Sequence, residues 1–185
     1  MKLIWTKSNL PLSVLIRGVT GEDCSHFAFV FESTASGLLF QSNLLGTNSK
    51  FFNTEKNTWG FKIVHELDIP MTVEEEDRAW ELMVNSYDDV PYNFLGAAYL
   101  GWRKLLHRVF GLKVPAKNAW SQHATMFCDQ IYTILNKLQD PRLKHVNVGN
   151  GMATPYDLWV KVGVQITSLV QETPHKTDTQ EKGHT

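Results

Sequence analysis

Apolar and polar positions fall into short extended runs in the first third of the chain and into helical spacing in the middle. His26–Phe31 is a predicted strand in which His26, Ala28 and Val30 share one face and Phe27, Phe29 and Phe31 the other. Leu12–Arg17 is predicted as the strand before it, with Gly18 and Gly21-Glu22-Asp23 turning between the two. Leu38–Ser42 follows Gly37 as a further strand. With Glu32-Ser33-Thr34-Ala35 as the connecting loop, Phe31 pairs with Ser36 and His26 falls opposite Gln41. Asn43–Thr58 is rich in Asn, Ser, Thr and Gly and is expected to be a long loop; Phe61–Ile69 is expected to be a strand closed by Pro70.

Helical signals begin at Thr72-Val73-Glu74-Glu75, where Thr72 and Glu75 have the spacing of a capping box. Trp80, Met83, Val84 and Tyr87 follow at helical spacing, and Asp88, Asp89 and Pro91 end that helix. A longer helix is expected from Phe94 to Phe110, with Gly111 as its cap. Another begins near Cys128 and runs to about Leu138. After the Asn/Gly-rich stretch Val146–Met152, periodicity leaves Trp159–Val170 open between strand and helix. The expected class is α+β, a small antiparallel sheet packed against helices. Residues 1–171 form one domain, and residues 172–185, polar with Pro174, form a disordered tail.

Composition narrows the functional classes. The chain has 185 residues, 43% hydrophobic and 20% charged, which suits one globular domain with a sizeable core. A formal net charge of −1 gives no global field for nucleic acid. No apolar run approaches the roughly 18 residues of a membrane span. Lys7, Ser8 and Asn9 interrupt the apolar start, so no signal peptide is expected and the chain is expected to be cytoplasmic at synthesis; export in a virus particle would leave no mark in the sequence. Two cysteines, Cys24 and Cys128, are too few for a disulfide framework.

Cys128 stands in Met-Phe-Cys-Asp-Gln-Ile-Tyr, at the first turn of its expected helix, and His26 opens a strand about a hundred residues earlier. A helix N-terminus stabilises a thiolate through unpaired backbone N–H groups. A histidine in hydrogen-bond reach can take the thiol proton and return it to a leaving group. Gln41 can orient the imidazole by accepting from its N–H, and the backbone N–H of Cys128 is a natural oxyanion donor. Spacing alone leaves a second reading open. Cys128, Ile131, Leu135 and Leu138 share one helical face, and spacing by itself favours a buried core cysteine.

The order of these elements bears on that choice. His26-Phe-Ala-Phe-Val-Phe, then Gly37-Leu-Leu-Phe-Gln41-Ser, Val90-Pro91-Tyr92-Asn93-Phe94, Phe127-Cys128 and Thr154-Pro155-Tyr156-Asp157-Leu158 resemble, in that order, the motifs of circularly permuted papain-like hydrolases of the NlpC superfamily, the group of permuted bacterial amidases and lecithin–retinol acyltransferase relatives. The resemblance spans roughly residues 12 to 160. It implies a circularly permuted papain-like fold, a cysteine hydrolase of the peptidase or amidase type with Cys128 as nucleophile, His26 as base and Gln41 as orienting residue, and Tyr92 near the cleft supporting the oxyanion or the substrate. It implies no cofactor. Its substrate is a peptide or peptidoglycan amide, or, in the alternative, a lipid ester or thioester. The chain departs from the pattern at Gln41, where Glu or His is usual, and at Asp129-Gln130 after the cysteine. A non-catalytic binding module of the same fold is the remaining alternative.

Three further groupings stand outside this pattern. Cys24, His26, His123 and Cys128 have the composition of a zinc set, though one residue between Cys24 and His26 is unusual for structural zinc. Arg103, Lys104, His107 and Arg108 form a basic stripe on a helix that also carries Trp102, Leu105, Leu106, Val109 and Phe110; it could meet an anionic surface or be a solvated face. Trp59, Trp102 and Trp120 could line a groove or fill the core.

Overall fold

The structure is a computed structural model and describes residues 1–32, 37–43, 46–115 and 153–161. Among these residues the architecture is α+β. One five-stranded antiparallel sheet has the order β4-β3-β2-β1-β5, built from β1 (Lys2–Lys7), β2 (His26–Phe31), β3 (Leu38–Asn43), β4 (Gly46–Phe51) and β5 (Lys62–Asp68). The helices are α1 (Pro11–Thr20), α2 (Phe52–Trp59), α3 (Val73–Tyr87) and α4 (Phe94–Phe110), with a further helical segment at residues 155–161.

The central strand β2 is buried on both sides, and its alternation divides the core. Phe27, Phe29 and Phe31 join Leu3, Trp5 and Phe40 on one face, beneath Ala79 and Met83 of α3 and Leu158. Trp5 lies 5.1 Å from both Phe27 and Trp159, and Trp159 stacks on His65 at 4.5 Å, so aromatic contacts hold the 153–161 segment to this face. Ala28 and Val30 join Ile4 and Leu39 on the opposite face, against Phe52 of α2 and Phe61. His26 and Gln41 belong by strand alternation to this second face, on the side of α2.

The expected strand at Leu12–Arg17 is instead helix α1. Pro11 occupies its first turn and Gly21, at φ 78°, ends it with its N–H bonded to the carbonyl of Arg17 at 2.8 Å. Its pattern misleads because it buries Ser13 while Leu12, Val14 and Leu15 stay exposed. The Ser13 hydroxyl hydrogen-bonds that of Ser25 at 2.6 Å, anchoring the helix beside the start of β2.

The expected loop at Asn43–Thr58 holds β4 and α2. Strand β4 is polar and lies at one edge of the sheet, where the Thr47 N–H donates to the Val90 carbonyl at 2.8 Å and the Thr47 carbonyl accepts from the Asp89 N–H at 2.9 Å. The hairpin register also differs from expectation by two residues, with Phe31 opposite Leu38 and Ala28 opposite Gln41. The shift keeps Gln41 on the same face as His26, opposite the residue two positions further along β2.

Both expected central helices are present. Thr72 Oγ1 accepts from the Glu75 N–H at 3.3 Å while the Glu75 carboxylate accepts from the Thr72 N–H at 2.9 Å. Asn93 Oδ1 caps α4 by accepting from the Gly96 N–H at 2.7 Å, and Gly111 at φ 68° closes its far end. The expected helix from Cys128 to Leu138, His123, Trp120, the Val146–Met152 stretch, residues 162–170 and the tail 172–185 lie outside the described residues.

Candidate active site

His26 is the first residue of β2, opposite Thr6 of β1, and the bond from the Ser25 N–H to the Thr6 carbonyl at 2.9 Å fixes the strand just before it. Its Nε2 lies 2.9 Å from Gln41 Oε1, a diagonal contact across the β2–β3 pair. Gln41 is buried, and its Nε2 donates to Glu55 Oε2 at 3.0 Å, with Asn48 Oδ1 at 3.5 Å. Glu55 projects from α2 and is itself buried. Three polar side chains from β2, β3 and α2 thus form one hydrogen-bonded row on the otherwise apolar face defined by Ile4, Ala28, Val30 and Leu39.

Burial holds the His26 imidazole below its ordinary pKa, and the hydrogen bond with the Gln41 carbonyl offsets this only in part. The ring is therefore neutral around neutral pH, the form that accepts a proton. Gln41 adds orientation without adding charge.

His26 and Gln41 form part of the wall of a cavity of about 480 Å³, together with Leu12, Ile16, Trp59 and Tyr92. A second cavity of about 440 Å³ lies between α1 and α4 and shares Leu12, Ile16, Ser25 and Tyr92 with the first. Its other walls include Trp102, Leu105 and Pro155. Tyr92 therefore stands where the two spaces meet. Cys128 lies outside the described residues, as does His123. Cys24 is fully buried in the main core, among the side chains of Trp5 and Phe27.

The basic stripe of α4 is largely engaged within the chain. Lys104 pairs with Asp157, which also binds the Thr154 N–H, and Glu22 lies 3.9 Å from the same ammonium. Arg103 donates to the Lys113 carbonyl at 2.8 Å and Arg108 to that of Gly18 at 2.7 Å. The Thr154 hydroxyl donates to Glu22 at 2.7 Å. The Thr-Pro segment is thereby tied to α4 and to the α1–β2 connection. Among the described residues no helix is long and apolar enough to cross a membrane.

Glu55 is the one member of the polar row not singled out in the sequence. Its run, Phe52-Asn-Thr-Glu-Lys-Asn, has weak helical amphipathicity and carries no motif. The available signal was the apolar pair Phe52 and Phe61 bracketing it, which meet at 6.0 Å between ring centroids. Comparison with protein-family models, with curated proteins and with solved structures returns no match.

Proposed function

We propose that this chain is a cysteine hydrolase with a circularly permuted papain-like fold, acting by thiol-dependent acyl transfer. The observation that carries the proposal is the 2.9 Å contact between His26 Nε2 and Gln41 Oε1 in the wall of a cavity. A neutral, oriented imidazole beside open space is what a general base requires. In this reading Cys128 transfers its thiol proton to His26 and its sulfur attacks the substrate carbonyl. The Cys128 N–H stabilises the oxyanion, with Tyr92 assisting the oxyanion or the substrate. The imidazolium then protonates the leaving group as the carbon–heteroatom bond breaks. Water, deprotonated by His26, hydrolyses the acyl-thioester and releases the free thiol.

The ordered motifs favour an amide substrate such as a peptidoglycan stem peptide. The cavity favours the second reading, a lipid thioesterase or acyltransferase using the same residues. Leu12, Ile16, Trp59 and Phe61 surround the polar pair, and the adjoining space is walled by Leu15, Val19, Trp102 and Leu105. A polar, charged stem peptide gains little from such walls, whereas an acyl chain gains roughly 0.8 kcal/mol per buried methylene.

The deciding experiment incubates the purified protein with an acyl-thioester and, separately, with a peptidoglycan stem peptide, alongside Cys128→Ala and His26→Ala. Fatty-acid release or acyl exchange lost in both variants supports the lipid reading, and amide cleavage lost in both supports the amidase reading. If iodoacetamide labels Cys128 no faster than an ordinary exposed thiol and Cys128→Ala changes neither assay, the chain is a binding module and the proposal fails.

A further inference from the structure

The polar row behind His26 has a direction, and the direction is set at its far end. Three groups surround the Gln41 side-chain amide. One end faces Glu55 Oε2 at 3.0 Å and Asn48 Oδ1 at 3.5 Å; the other faces His26 Nε2 at 2.9 Å. A carboxylate can only accept hydrogen bonds. The Asn48 amide is itself oriented, because its Nδ2 donates to Asn43 Oδ1 at 3.2 Å and to the Gly46 carbonyl at 3.1 Å, which leaves its oxygen toward Gln41. Two acceptors therefore face one end of Gln41, and that end must be the NH₂ group. A flipped amide would press its carbonyl oxygen against both of them in a buried site.

The carbonyl of Gln41 is then committed to His26. A carbonyl can only accept, so the proton of the neutral ring must reside on Nε2. Nδ1 keeps its lone pair, and no described residue is hydrogen-bonded to it. We infer that Glu55 is a positioning residue that acts through Gln41 to fix His26 in its Nε2–H tautomer, making Nδ1 the basic nitrogen of the site. This deepens the proposed function, on which the catalytic consequence rests, but the tautomer itself is a property of the folded chain. It also gives Gln41 a reason to be an amide. A carboxylate at that position would stand against the Glu55 carboxylate, whereas an amide passes the acceptor character of Glu55 on to the histidine by presenting a donor at one end and an acceptor at the other.

The test is nitrogen NMR of the ¹⁵N-histidine-labelled protein at neutral pH, which reads the protonation of Nδ1 and Nε2 separately. In the wild-type protein His26 should be protonated on Nε2 by more than about ten to one, the bias that a charge-assisted hydrogen bond maintains. Glu55→Gln, whose amide can present either end to Gln41, should lower the bias at least about threefold, with Asn48 Oδ1 remaining as the weaker acceptor, and Glu55→Asp should restore part of it. A wild-type ring protonated on Nδ1 overturns the inference without any variant being needed. A folded Glu55→Gln protein with an unchanged tautomer ratio overturns it as well.

Iodoacetamide labelling of Cys128, followed by peptide mapping, separates this inference from the functional reading. A tautomer that responds to Glu55 while Cys128 reacts as an ordinary thiol upholds the role of Glu55 and removes the hydrolase. A hyper-reactive Cys128 with an unresponsive tautomer does the reverse.

Discussion

Thr154 and Asp157 cap each other. Thr154 Oγ1 accepts from the Asp157 N–H at 3.1 Å, and Asp157 Oδ2 accepts from the Thr154 N–H at 2.9 Å, with Pro155 in the first turn between them. The Thr-Pro segment is thus a helix start held by a reciprocal cap, and the same carboxylate receives the Lys104 ammonium.

Asp157→Ala removes the cap and the Lys104 partner together and should cost about 1–2 kcal/mol of unfolding free energy at neutral pH, read by urea denaturation. Burial raises the Asp157 pKa, but its hydrogen bonds with Lys104 and the Thr154 backbone outweigh burial and hold it below the ordinary carboxylate value. Its contribution is therefore present above that ordinary value and is lost as pH falls through the depressed one. The cost of Asp157→Ala should shrink in acid.

Glu22 should behave in the opposite sense. Burial raises its pKa, and the nearby Asp157 charge adds to that, against the hydrogen bond from Thr154 and the pull of Lys104. Stability from this group is present below the ordinary glutamate value and declines as pH rises through the raised one. Glu22→Gln keeps an acceptor for the Thr154 hydroxyl and removes the buried charge. It should be neutral or stabilising by less than about 1 kcal/mol at neutral pH, and a loss larger than that would contradict this balance.

Stability should also fall on mild acidification because of His26. Its folded pKa lies below the ordinary 6.5, chiefly through burial. As pH drops below that value the unfolded chain takes up a proton that the folded ring resists, so stability is full above this range and declines below it. Urea midpoints measured across this range should slope for the wild-type protein and flatten for His26→Gln.

Gln41→Leu should be costly in two ways. It leaves His26 Nε2 and the Glu55 carboxylate without their shared partner in a buried row, a loss of about 2–3 kcal/mol for unsatisfied polar groups. It should also slow iodoacetamide labelling of Cys128, whereas Lys50→Leu, on the exposed part of β4, should change neither measurement.

Gly46→Ala tests the α3–α4 connection. Gly46 has φ 107°, and a Cβ there would lie 2.9 Å from the Val90 carbonyl oxygen. Backbone strain and a contact with another backbone atom act together, so the loss should exceed about 1 kcal/mol in a thermal or urea melt.

Much of this architecture was legible from spacing. The β2 alternation, the Thr72–Glu75 box and the Phe94–Phe110 span with its Gly111 cap each carry their own stereochemical marks, and the structure follows them. Helix α1 was not legible from its apolar pattern because that pattern does not describe what it buries; Pro11 and Gly21 at its two ends were the better guide. Strand β1 and strand β4 were missed for different reasons. Lys2–Lys7 is short and has a continuous apolar run at Leu3-Ile4-Trp5, as a strand covered on both faces has, while β4 is polar and has no apolar alternation to mark it. The nearness of His26 and Gln41 was legible, since both residues lie on one face in the expected and the observed registers alike. Glu55 was not, because its contact with Gln41 depends on how α2 lies across the sheet, which no local pattern encodes.

The two bonds that Thr47 makes to Asp89 and Val90 have a meaning for assembly. An outermost strand whose N–H and carbonyl groups point outward is a template on which another chain can add a strand. Here the loop after α3 already occupies that template at Thr47, and Gly46 allows it to come close. Strand addition at this end of β4 must first displace the loop that leads into Tyr92 and α4, so loss of that contact would open the sheet to self-association and disturb the cavity wall at once.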